Sequence, residues 1–98
     1  MLGELLVRRI EIEWKNGKKL NVRELSVLDW QEMVEIEKLE DATELMDRQL
    51  NFVARCLSRN TEQVKVTAEE LSKVNMAYVK AVYNVLLMRT SLTVTDPN

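Results

Sequence analysis

The chain has 98 residues, 46% of them hydrophobic and 31% charged, a balance that fits one globular domain and not a disordered segment. Fourteen Lys and Arg stand against sixteen Asp and Glu, and a net charge of −2 supplies no bulk positive field for nucleic acid or an anionic membrane. The chain has no histidine, one cysteine and two glycines, so the commonest general base, a cysteine zinc site, an internal disulfide and a glycine-rich phosphate loop all drop out, and no catalytic, cofactor-binding or metal-binding residue is expected.

In chain order, Met1–Leu6 has neither a basic start nor a long apolar run, so no signal peptide is expected there. No segment reaches the about 18 apolar residues that would cross a bilayer. With its single Cys56, the chain reads as a protein of a reducing cytoplasm.

Residues 6–25 predict a β-hairpin. Ile10, Ile12 and Trp14 alternate with Glu11 and Glu13, and Leu20 and Val22 resume the alternation after Lys15-Asn16-Gly17-Lys18. Asn-Gly commonly makes a two-residue turn. That register would set Ile12 opposite Asn21 and Ile10 opposite Arg23, splitting the apolar residues between two faces. A three-residue loop over Lys15–Gly17 instead pairs Ile12 with Leu20 and Ile10 with Val22, with Gly17 in the left-handed conformation.

Ser26-Val27-Leu28-Asp29 carries a helix-capping pattern, and a helix is expected to about Leu39 with Val27, Trp30, Met33 and Val34 inward. Asp41 and Glu44 offer a second start. Without Gly or Pro between Ser26 and Ser58, one bent helix and two separate helices both stay open. Over 42–58, Met46, Leu50, Val53, Ala54 and Leu57 share one side, and Cys56 reads as a small core residue. Residues 59–66 form a polar connection. Thr67-Ala68-Glu69-Glu70 then opens a helix expected to reach about Arg89. The expected fold is α+β: an N-terminal hairpin and two to three helices forming one domain over 1–90, with a flexible tail over 91–98.

Charge is uneven. Residues 1–24 hold six Lys or Arg against four Glu; residues 29–47 hold eight acids against Lys38 alone. The acidic stretch reads either as a solvated helix face or as a docking surface for a basic partner. Asp41, Glu44 and Asp47 read as surface charge and not as a cation site. Arg8, Arg9, Lys15, Lys18 and Lys19 make a basic cluster on the hairpin that a nucleic-acid-binding regulator could use, but Trp14, the aromatic nearby, reads as core.

The last helix has two apolar stripes. Leu71, Val74, Tyr78, Val82 and Val85 form one; Met76, Val79, Tyr83 and Leu87 form the other. A one-sided surface helix needs an apolar arc of only about 100°. Either this helix is a central rod flanked on two sides, or Met76, Val79, Tyr83 and Leu87 face another chain. The second reading is the expected partner and oligomer interface, since Met and Tyr suit such surfaces.

The turn at Asn16-Gly17-Lys18, followed by Val22-Arg23-Glu24-Leu25-Ser26-Val27-Leu28-Asp29-Trp30 and then helices, resembles the tail assembly chaperones of long-tailed bacteriophages and prophages. In that family a strand ending in Arg-Glu-Leu-Ser/Thr leads into a capped helix bearing an acid and a large apolar residue. The resemblance covers the layout of most of the chain and rests on about nine residues. It implies a non-catalytic viral assembly chaperone in the bacterial host cytoplasm. Its partners would be the tape measure protein, whose apolar helix it keeps soluble, and the tail tube protein. The family often also makes a longer frameshifted form. A structural phage adaptor or connector subunit is the alternative.

Overall fold

The structure, a computed structural model, describes residues 9–95, with side chains described to residue 88. The fold is α+β: an antiparallel hairpin followed by helices. Strand β1 (Arg9–Glu13) pairs with β2 (Lys19–Arg23), with Ile12 opposite Leu20 and Ile10 opposite Val22. The three-residue loop is therefore the one adopted. Lys15–Gly17 form a single 3-10 turn, with Asn16 at φ 58° and Gly17 at φ 74°. Ile10, Ile12, Leu20 and Val22 are buried on one face, and Trp14 joins them.

Helix α1 (Val27–Glu37) starts where its capping pattern placed it. The Asp29 amide donates to Ser26 Oγ at 3.2 Å, and the Ser26 amide donates to Asp29 Oδ2 at 3.0 Å. The chain then breaks. Asp41 caps a separate α2 (Ala42–Ser58), its Oδ1 accepting from the Thr43 and Glu44 amides. Helix α2 supplies the middle of the core, burying Phe52, Val53, Ala54, Cys56 and Leu57.

The polar connection after α2 has a structural task. A bridge joins Asn60 to Val22, the Thr61 amide donates to the Asn21 carbonyl at 3.1 Å, and the Arg23 amide donates to the Arg59 carbonyl at 3.4 Å. The Glu62 carboxylate accepts from the Asn21 amide and from Asn21 Nδ2, both at 2.8 Å. These Asn21 donors hold the Glu62 carboxyl down to about 2. Residues 59–62 thus line the outer edge of β2, whose backbone groups would otherwise be unpaired. Asn60 closes the loop that follows, contacting Leu57 and Val64, and Ser58 exchanges hydrogen bonds with Val66.

The expected helix from Thr67 to Arg89 is two helices: α3 (Ala68–Ser72) and α4 (Met76–Thr95). Thr67 and Glu70 form the anticipated capping box. The unanticipated break comes from Asn75, whose Oδ1 accepts from the Tyr78 amide at 2.8 Å and starts a new helix. The backbone is helical through Thr90 to Thr95, within the span read from sequence as a tail. No Gly or Pro interrupts residues 76–95. Residues 1–8 and 96–98 lie outside the described residues.

Candidate functional site

Met76, Val79, Tyr83 and Leu87 line one side of α4, as their spacing requires, but that side does not stand free. Val79 is 5% and Tyr83 7% exposed, both in the core, and Leu87 packs partly against it. Only Met76, 50% exposed, points outward. The expected interface is therefore mostly interior, and a homo-oligomer held by this stripe loses its surface. The reason is that α4 is flanked twice. On one flank, Trp14 and Tyr78 rings sit 6.0 Å apart, and the Tyr78 hydroxyl donates to the Glu13 carbonyl at 2.6 Å. On the other, the Phe52 ring of α2 meets Tyr83 edge-on at 6.1 Å. Helix α4 thus packs between the hairpin and α2.

What survives of that stripe is a cleft of about 230 Å³ where α4 meets α1 and α2, lined by Glu37, Met46, Gln49, Met76, Val79 and Tyr83 among others. The Tyr83 hydroxyl donates to Glu37 Oε1 at 2.9 Å across it. Burial first, and this carboxylate second, raise the Tyr83 pKa, so the phenol stays protonated as a donor.

Exposed apolar side chains lie on α1 as well as at Met76, Val85 and Met88 of α4. Val27 is 74% exposed, Leu28 76%, and Trp30 and Val34 each 39%. Val27, Trp30 and Val34 were expected inward; of that set Met33 alone is buried, together with Asp29 and Ile36. The helix phase is set by charge. Arg59 Nη2 donates to Asp29 Oδ2 at 2.7 Å, and Arg55 Nη2 lies 3.9 Å from Oδ1. Pinning Asp29 inward carries Met33 and Ile36, four and seven residues on, to the same side. Val27, Trp30 and Val34 are turned away. Burial acts to raise the Asp29 pKa, but the Arg59 and Ser26 hydrogen bonds outweigh it and hold the carboxyl below its ordinary value. Arg55 also grips Glu32 of α1 through both Nη atoms.

A shallow depression beside this face is lined by Trp30, Gln31, Glu32, Val34 and Glu35. The signal for it was present: Asp29, Met33 and Ile36 form a rival phase at spacings of four and three. Nothing in the sequence showed that Arg59, thirty residues on, would choose that phase.

On the hairpin, Arg8 lies outside the described residues. Lys15 pairs with Glu70 at 3.1 Å and Lys19 lies 3.7 Å from Glu11, so part of the basic cluster is already matched by acids. Cys56 is fully buried, as expected of a core residue, and burial pushes its thiol up to about 11. Asp41 is occupied as a helix cap. Among the described residues, no cluster of three or more acids, Cys or His is placed to hold a metal ion. None of the described helices is long and apolar enough to cross a membrane. Comparison with known protein families, with curated proteins and with solved structures returned no match.

Proposed function

We propose that this chain is a non-catalytic protein-binding domain, working as an assembly chaperone in phage tail morphogenesis in the bacterial cytoplasm. It would hold tape measure helices and bring in tail tube subunits. The observation that carries the binding reading is the outward face of α1, where four large apolar side chains stay open to solvent beside acidic residues. A small domain seldom leaves such residues together without a partner. The resemblance around Arg23-Glu24-Leu25-Ser26 supplies the phage setting, and the capped helix it leads into is the one that bears this face.

The test is to look for a tape measure gene next to this one and to co-express the chain with its product. A chaperone keeps that protein soluble, co-purifies with it, and is missing from purified virions by mass spectrometry. A structural adaptor or connector subunit would remain in the virion. Nucleic-acid binding through the hairpin is disfavoured by the pairing of Lys15 and Lys19 with Glu70 and Glu11.

A further inference from the structure

Helix α1 has two stripes it could turn to the core, and it buries the less apolar one. The outward stripe carries Val27, Trp30 and Val34 at spacings of three and four. The buried stripe carries Asp29, Met33 and Ile36 at spacings of four and three, so a carboxylate takes one of its places. The two stripes lie about a third of a turn apart around the helix. By apolar content alone, the outward stripe is the one a surface helix would turn inward.

Ion pairs hold the opposite phase. Arg59 Nη2 donates to Asp29 Oδ2 at 2.7 Å, Arg55 Nη2 lies 3.9 Å from Asp29 Oδ1, and Arg55 also grips Glu32. Both arginines stand at the C-terminal end of α2, so α1 cannot turn without breaking these contacts. The grip leaves Arg59 Nε buried without a hydrogen-bond partner among the described residues, which counts against it. Helix α1 is also short enough to turn as a unit. It has 11 residues, its capping box is made by its own Ser26 and Asp29, and the chain breaks at residues 39–41 before α2.

We propose that α1 is a two-position helix latched by Arg55 and Arg59. Releasing the latch rolls it by about a third of a turn, burying Val27, Trp30 and Val34 and bringing Met33 and Ile36 to the surface. The latch thereby decides whether the apolar stripe of α1 is presented or withdrawn. Without the arginines Asp29 is an unpaired carboxylate, which water accommodates far better than a core does, and the roll carries it there.

The test is Arg55→Gln combined with Arg59→Gln in the full chain, read at two native side chains. Met33 is 3% exposed, so peroxide oxidises it slowly in the latched protein. Peptide mass spectrometry separates it from the exposed Met76 and Met88. Trp14 is buried, so changes in tryptophan emission and acrylamide quenching report Trp30. The unlatched variant is expected to oxidise Met33 at least about tenfold faster. Its Trp30 emission shifts to the blue and is quenched less, with far-UV circular dichroism unchanged. Opposite movement of two residues on one helix is the signature of a roll. Adding Asp29→Leu makes the buried stripe wholly apolar. It is expected to return Met33 to protection and Trp30 to solvent with neither arginine present.

Exposure of Met33 and Trp30 together overturns the proposal, since α1 has then come loose and not rolled. So does unchanged Met33 oxidation with unchanged Trp30 emission, or failure of Asp29→Leu to reverse the exchange. If the double variant does not fold, Asp29→Asn, which loses the charge pair with both arginines in place, is expected to show the same opposed shifts in smaller measure. Their absence there overturns the proposal as well.

Discussion

The Asp29 carboxylate on the first turn of α1 lies 2.7 Å from the Arg59 guanidinium at the end of α2. It also accepts the Ser26 amide at 3.0 Å, so one side chain caps a helix and ties it to its neighbour. Folding lowers the Asp29 pKa, so the unfolded chain takes the proton first. The stability this group adds is complete above about pH 4 and is lost as pH falls through the folded value. Asp29→Asn should therefore flatten the acid limb of a plot of urea midpoint against pH. Asp29→Ala, which strands Arg59 and removes the cap, should cost about 2 kcal/mol at pH 7, allowing for the partial exposure of Arg59.

Val79 and Tyr83 now make opposite predictions from those of an exposed stripe. Val79→Glu would bury an unpaired carboxylate and should abolish cooperative unfolding and helical circular dichroism, not merely separate subunits. Tyr83→Phe keeps the ring against Phe52 and loses only the hydroxyl bond to Glu37. Its cost in urea denaturation should be about 1 kcal/mol.

The Cys56 thiol, buried and raised to about 11, should resist a thiol reagent such as DTNB at pH 8 in the folded protein. Full labelling should appear only in denaturant. Cys56→Ala leaves a small void beside Arg59 and should lower stability by about 1 kcal/mol.

Gly17→Ala isolates a backbone effect. A Cβ there would meet nothing closer than Glu13 Oε2, at 3.8 Å, so space is not the obstacle. The cost comes from φ at 74° and should be about 1 kcal/mol, read as a lowered thermal midpoint with the fold retained.

Local patterns in the sequence were enough for the hairpin register, the capping boxes at Ser26 and Thr67, and the core role of Trp14 and Cys56. Each rests on residues close in sequence. Leu20 and Ile12 had to share a face, and that choice of face excluded the two-residue turn. The misread parts depended on distant partners. Whether Val34 or Ile36 turned inward was decided by Arg59, and whether Tyr83 was surface or core by Phe52. The two stripes of α4 were visible, but an apolar stripe looks the same in sequence whether it meets its own chain or another. Asn75 was a legible cap that the continuous apolar pattern around it masked.

The seam between β2 and residues 59–62 also sets an order of events during synthesis. A two-stranded hairpin alone is barely stable in water. Here β2 leaves the ribosome first, and Asn60, Thr61 and Glu62, which cover its edge, follow nearly forty residues later. Until they emerge, the nascent hairpin exposes both strand edges and lacks the Glu62 carboxylate that holds Asn21. A translational slowdown ahead of residue 60 would lengthen that window, and synonymous codons there should alter the soluble yield without changing a single amino acid.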